Sequence, residues 1–542
     1  MRCNLQCLAR LLTFLYQDSL LLMTTKFSHI IGLVCLFVIS SVTLLAFYGL
    51  IAFNRSGADL GLLNDAYFYS ILWFSIKQAL LSASISTLLA WPIARAIYYY
   101  PNIFLKKLFL SLSLLCFVLP TLVLITGFVA LLGLSGTITP LLGEHWSLYG
   151  LHGILLAHVY MNLPFAVRSI HSQLHNIPDS SWRVARQLKL SKWQLFQLIE
   201  WPALRGNLSL IFGFIVILCF NSFAVVLALG GGPQSTTLEV AIYQALKYDF
   251  NIGEALTLAW SQFFIAGVFF ILLYKNNSVA WLSKDATTEL WIPSLSNRNK
   301  VLYLLLYSSC FIFMLAPLFS LLEGVFAVNY SSQLIFSVLQ ALLLSVLVAT
   351  AVALLAMAMA YSIMLPIRAS IRAGKTRYKN LLQWLANHTL IAPAMVLCVG
   401  LYILFLPLID LEIWGMVFVV LLNIMLVMPF AIQQIRSRLI QYDSDYAFLY
   451  QSLKLSFWQK LRIEWLYIKN TLLSTFSLIL LLAMGDVAIF SIFGSNDLKT
   501  LPWLIYQLAG SYRINEASFA SLILLVMYVT LLMQIQRAQK NA

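Results

Sequence analysis

Long apolar runs alternate with short polar segments along almost the whole chain, and the runs set the architecture. Twelve of them reach the roughly 20 residues a helix needs to cross a hydrocarbon layer about 30 Å thick. Their centres fall near residues 42, 83, 120, 159, 218, 265, 311, 350, 393, 422, 482 and 526. The runs are continuous rather than alternating, which predicts helices and not a barrel. Polar residues interrupt those near 159 and 422, and Pro120 and Gly127 lie inside the third. An internal proline in a membrane helix marks a kink. The expectation is an all-α polytopic membrane protein of about twelve transmembrane helices.

The polar segments repeat. Leu188-Lys189-Leu190-Ser191-Lys192-Trp193-Gln194 recurs as Leu453-Lys454-Leu455-Ser456-Phe457-Trp458-Gln459, 265 residues later (454 − 189). Pro164-Phe165-Ala166-Val167 answers to Pro429-Phe430-Ala431-Ile432 at the same offset, and Ile199-Glu200-Trp201 returns as Ile463-Glu464-Trp465. Farther out, Ser75-Ile76-Lys77-Gln78-Ala79-Leu80 is echoed by Ser337-Val338-Leu339-Gln340-Ala341-Leu342. Thr237-Leu238 and Ile242-Tyr243-Gln244 are echoed by Thr500-Leu501 and Ile505-Tyr506-Gln507. A period this long marks a duplicated half rather than a solenoid. The chain divides into an N-terminal tail (1–29), a first six-span module (30–274) with a polar loop at 168–207, and a polar linker (275–300). A second six-span module (301–536) with its loop at 434–470 and a short tail (537–542) complete it. Residues 1–22 hold a leucine stripe too short to span; either Met23-Thr24-Thr25-Lys26 is the natural start or the stripe is a surface amphipathic tail. Parallel halves of this kind are related by an axis along the membrane normal, with a pathway between them.

Composition agrees with a membrane protein: 61% of the 542 residues are hydrophobic and 10% are charged. A net charge of +14 could point to nucleic acid, but its distribution says otherwise. When alternate loops are assigned to opposite sides, one side collects 29 of the 34 Lys and Arg; only Arg55, Lys77, Lys247, Lys499 and Arg513 fall elsewhere. That skew places both repeated loops and both termini in the cytoplasm. The expected location is an inner membrane, with the lipid bilayer and no nucleic acid as partner. The seven cysteines are dispersed, with none in a predicted outer loop, and read as small buried hydrophobes.

The repeated loop carries the strongest functional signal. Each copy predicts two short amphipathic helices at the cytoplasmic surface. Leu188, Trp193 and Phe196 make one apolar face, and Leu453, Trp458 and Leu461 the other. Large apolar side chains on a cytoplasmic loop suit a protein docking site; the alternative is an interfacial helix resting on headgroups. Catalytic groups and metal ligands are not expected. Gly374-Lys375-Thr376 imitates the end of a phosphate-binding loop, but Ala369 stands where that motif needs glycine. His171 and His175 share a helix face at metal-ligand spacing without a third ligand, and read as a solvated face. Asp486 is the one acid inside an apolar run, so it is functional, or paired to a neighbouring helix, or wetted at the outer end of its span. Its counterpart in the first half is Ser222, with Phe220 and Phe223 beside it as candidate lining of a central path.

The loop pattern resembles the EAA loop of ABC importer permeases, which reads Glu-Ala-Ala, glycine four residues on, then a distal proline. Here Arg183-Val184-Ala185, Lys189 and Pro202 occupy those places, and Phe448-Leu449-Tyr450, Lys454 and Tyr467 do so in the second copy. Only Ala185 and Pro202 keep the pattern's letters. From about Met23 onward the chain is similar to the fused permeases of thiamine importers. The stretches that carry this are 150–159 with Asn162-Leu163-Pro164, Leu229-Gly230-Gly231-Gly232-Pro233-Gln234, 239–246 and Gly510-Ser511-Tyr512-Arg513. The resemblance implies a type I ABC importer permease fold with two modules in one chain. It implies docking of two copies of a cytoplasmic ABC ATPase through Ala185, Leu188, Lys189, Trp193, Phe196, Leu453, Lys454, Trp458 and Leu461. A periplasmic thiamine-binding protein would deliver the cargo. No cofactor belongs to this chain; ATP and Mg would sit on the partner ATPase. A similar fused permease with another cargo, iron(III) or sulfate, stays open. An ion-coupled secondary transporter would need several intramembrane ionisable groups, and the apolar runs offer Asp486 and little else.

Overall fold

The computed structural model describes residues 29–540 apart from 53–58, 144, 176, 275–296, 329, 391–393, 454–456 and 495–497. The expectations for residues 1–22 and Met23, for most of the linker, and for Lys454 lie outside the described residues. Among the described residues the chain is helical and contains no strand.

The first half holds α1 (His29–Ala52), α2 (Ala66–Tyr99), α3 (Lys106–Val118), α4 (Thr121–Leu132), α5 (Leu151–His175) and α6 (Asp179–Gln187). It continues with α7 (Trp193–Phe220), α8 (Leu238–Lys247) and α9 (Ile252–Tyr274). The second half holds α10 (Asn297–Phe326), α11 (Ser332–Arg372), α12 (Thr376–Asn387), α13 (Ala394–Phe405) and α14 (Leu411–Leu453). Then come α15 (Phe457–Met484), α16 (Leu501–Gly510) and α17 (Ile514–Lys540).

Ten helices among the described residues are long and apolar enough to cross a membrane. The protein is a multi-pass membrane protein. Two of the twelve expected spans are not single helices. The third is the pair α3 and α4, bent by 106°. Pro120 stands at the bend, where it has no N–H to continue a helix and turns Leu119 to ψ 134°. The run near 393 is divided between α12 and α13. The two interrupted runs near 159 and 422 are, by contrast, continuous helices, because Asn162 and Asn423 return their side-chain N–H groups to carbonyls one turn back (His158 and Val419, 2.8 and 3.0 Å).

The first helix of each half lies against the other half. On α1, Gly32 faces Ser362 and Pro366 of α11, and a Cβ on Gly49 would lie 2.2 Å from the Gly400 carbonyl of α13. The Thr43 hydroxyl lies 2.9 Å from His388 Nε2. Reciprocally, α10 lies on α4, with a Cβ on Gly127 2.3 Å from the Pro317 carbonyl. Ser320 donates to Gly127 O (2.7 Å) and Tyr160 to Met314 O (2.7 Å). Small residues at crossing points let backbones approach where no hydrophobic effect drives helices together.

Candidate functional site

The first repeated loop is built from α6 and the start of α7. Pro178 precedes α6 with extended backbone (ψ 141°), so α5 cannot run on. Trp182 then anchors α6 inward: it is buried, with its ring 6.1 Å from Tyr98 and 6.2 Å from Tyr99 of α2. Ala185 is buried on the same face and offers no outer surface. The helix closes at Lys189, whose φ of +48° is a left-handed conformation, with Leu190 N–H donating to Ala185 O (3.1 Å). That is the place where the EAA pattern carries glycine, the residue that adopts this conformation without a Cβ penalty.

Past the turn, Ser191 and Gln194 cap each other reciprocally (2.9 and 3.4 Å). The chain then winds through a wide turn at Phe196–Glu200 straight into the span. The loop is therefore one short helix followed by the root of a membrane helix, not two short helices. Leu188 and Trp193 are exposed at 66% and 65%, and Phe196 packs its ring between Trp91 (5.0 Å) and Trp193 (5.4 Å).

The second loop departs further from the expectation. Helix α14 runs 43 residues without a break to Leu453, and α15 begins at Phe457. No separate helix forms there among the described residues. Asp443 stands where the first copy has Pro178 (178 + 265), so nothing stops the helix. Leu453, Trp458 and Leu461 are exposed, with Trp458 at 75%.

Two arginines that the sequence reading passed over tie these loops to the membrane core. Arg95 on α2 places Nε 2.9 Å from Glu200 Oε2 and donates from Nη2 to Oε1 (3.1 Å). Tyr99 donates to the same Oε1, and Glu200 is fully buried. Arg368 on α11 donates twice to Asp443 (2.6 and 2.9 Å) and twice to Glu464 (2.6 and 3.2 Å), and Tyr361 donates to Glu464 (2.9 Å). Bidentate pairing of this kind is the strong form of the arginine–carboxylate contact. The duplicated Ile-Glu-Trp was the available signal, since it carries both Glu200 and Glu464.

His171 and His175 do not form a solvated face. His171 is buried, and the His175 ring meets Tyr98 edge-on at 5.0 Å. Among the described residues no cluster could hold a metal ion. Asp486 does not lie within a span. It follows the end of α15, accepts from Ile489 N–H at the start of the next short helix (3.2 Å), and also accepts from Asn423. It stays partly exposed, and Ser222 sits partly exposed at the matching break after α7. Phe220 and Phe223 are buried, with rings against Phe269 (5.9 Å) and Tyr243 (5.2 Å). Nor is Asp486 the sole deep carboxylate: Glu239 on α8 is fully buried, held by Gln262 (3.0 Å), which also reaches Asn221 (3.1 Å).

Residues 83–276 match the family model of the binding-protein-dependent transport system inner membrane component. The thiamine transport system permease protein ThiP of Haemophilus influenzae is 34% identical over 482 residues, covering 86% of this chain and 87% of that protein. Its namesake in Escherichia coli is 32% identical over 484 residues, covering 88% and 90%. The one in Salmonella typhimurium is 32% identical over 523 residues, covering 93% and 96%. With a likeness that runs through both halves, the chain belongs to the binding-protein-dependent inner-membrane permeases, in the family of the thiamine transport system permeases.

Proposed function

We propose that this chain is the membrane pathway of an ATP-driven thiamine importer and moves its cargo by alternating access. The likeness to thiamine permeases over 86% of the chain carries this reading. The loops at 168–207 and 434–470 dock two copies of a cytoplasmic ABC ATPase, which supplies ATP hydrolysis with Mg. Exposed Leu188 and Trp193 on one loop, and Leu453, Trp458 and Leu461 on the other, support this, since aromatic anchors dominate protein interfaces. A docked loop transmits a switch only through contacts that differ between the two states. A periplasmic binding protein delivers the cargo on the opposite face. The excess of Lys and Arg on the loop side favours cytoplasmic termini and loops.

Thiamine carries a fixed positive charge on its thiazolium ring. Partly exposed Asp486, at the break that answers to the Ser222 break of the first half, is the group we assign to meet that charge on the path. The test is uptake of labelled thiamine into vesicles holding the permease, its ATPase and its binding protein. ATP-dependent uptake that thiamine outcompetes, and that ferric ion or sulfate does not, is expected. Asp486→Asn should slow uptake while the complex still assembles. ATP-driven uptake of iron or sulfate instead would reassign the cargo. Accessibility of a cysteine at Ser191 to an impermeant thiol reagent from the outer face would reverse the orientation.

A further inference from the structure

Helices α2 and α11 are each fastened at both ends, and the fastenings match. At the inner end Arg95 grips Glu200 at the root of α7, and Arg368 grips Glu464 near the root of α15. At the outer end a serine of the same helix caps a different helix. Leu238 N–H at the start of α8 donates to Ser75 Oγ (3.0 Å), and Leu501 N–H at the start of α16 donates to Ser345 Oγ (2.8 Å). The preceding Thr237 and Thr500 do not cap their own helices, and both hydroxyls are buried. These groups are largely internal: Ser75 and Glu200 are fully buried, Ser345 and Arg368 nearly so, and the side chains of Arg95 and Glu464 are 19% and 14% exposed.

The separations fit a rod that crosses the bilayer. Ser75 and Arg95 are 20 residues apart (95 − 75) and Ser345 and Arg368 are 23 apart (368 − 345), so each pair spans roughly 30–35 Å along its helix. That is about the thickness of the hydrocarbon layer. The serine that does the capping in the second half is Ser345, not the Ser337 that the sequence echo pairs with Ser75; Ser337 instead donates to Leu334 O (2.9 Å). The same contact is thus made in both halves in spite of a shifted register.

We propose that α2 and α11 are the transmission rods of the transporter. Arg95 and Arg368 are positioning residues that take up displacement of the ATPase-docked loops. Ser75 and Ser345 deliver it to the outer short helices α8 and α16, and return the arrival of the delivery protein as a signal to the ATPase. This rests on the importer reading above.

The test uses the full complex of permease, ATPase and thiamine-loaded binding protein in vesicles, with the double variant Ser75→Ala/Ser345→Ala. Each change removes one hydroxyl and leaves the packing. We expect an assembled complex with unchanged basal ATP hydrolysis. Stimulation by the loaded binding protein, and thiamine moved per ATP, should fall roughly 2- to 30-fold, the range of energetic coupling carried by such networks. Arg95→Gln/Arg368→Gln should lose the same two readouts, and Arg95→Lys/Arg368→Lys should recover part of them. Stimulation and transport per ATP at wild-type values in the serine variant would overturn the proposal. So would failure of that variant to assemble, which would make the caps structural. A wild-type complex that shows no stimulation would instead overturn the importer reading beneath it.

Discussion

Helices α5 and α14 start as counterparts and end differently. In the first half the chain leaves the membrane on α5, breaks at Pro178, and presses a short helix against α2 through Trp182. In the second half the helix passes the same position as Asp443 and is fastened to α11 by a bidentate pair with Arg368. The aligned partner of Trp182 is Ala447 (182 + 265). Both loops are held to the second span of their half by an arginine–glutamate pair, Arg95–Glu200 and Arg368–Glu464. The first adds an indole on two tyrosines, and the second adds a further carboxylate, Asp443, on the same arginine. A single aligned position, proline in one copy and aspartate in the other, sets the shape of the arm and the chemistry of this additional anchor. A duplicated loop can keep one attachment and vary the other.

The contrast breaks most severely if the second arm is given the first arm's break. Asp443→Pro interrupts a helix interior, at about 3 kcal/mol, and removes one of the two carboxylates on Arg368, at about 1.5–3 kcal/mol for the lost charged hydrogen bonds, while Glu464 still pairs the guanidinium. Thermal unfolding of the solubilised permease should show a large loss, and a wild-type melting curve would mean the continuous arm is incidental. Trp182→Ala should cost about 3–5 kcal/mol by the cavity it leaves, in the same assay, with Trp182→Phe recovering much of it. A loss below 1 kcal/mol would show that α6 is held by something else. Trp193→Asp and Trp458→Asp should leave the melting curve in place and weaken ATPase binding by about 2 kcal/mol or more each, read by co-purification. Retained ATPase in both would assign these faces to the lipid surface. The smallest effect is expected at Lys189→Gly, which should stabilise the first loop by about 1 kcal/mol by removing a left-handed Cβ clash. Destabilisation there would mean the lysine side chain makes a contact that outweighs its strain.

Span positions were legible because apolar runs of bilayer length are hard to mistake, and the repeat located both loops. What stayed hidden depends on packing between distant segments. Nothing local in the sequence says that Arg95 meets Glu200 across 105 residues, or that Ser345 rather than Ser337 takes the role of Ser75. His171 looked solvated because its neighbours in sequence are polar, whereas its neighbours in space include His175, whose ring in turn meets Tyr98. Asp486 and Ser222 were placed inside runs because hydropathy averages over the short breaks at which both residues sit. The proline that ends α5 was readable, but its absence at Asp443 gained meaning only once the two arms could be laid side by side.

The exchanged first helices bear on how the protein is made. Gly32 of α1 is built to lie against Ser362 and Pro366, which leave the ribosome some 330 residues later (362 − 32). At about 5–20 residues per second, α1 waits on the order of tens of seconds in the bilayer before its seat exists. During that interval its small-residue face is open to any other helix in the membrane. The chain therefore cannot finish one half and then the other. Assembly has to bring α1 onto helices of the second half, and a fusion of both halves in one polypeptide guarantees that the awaited partner is always its own.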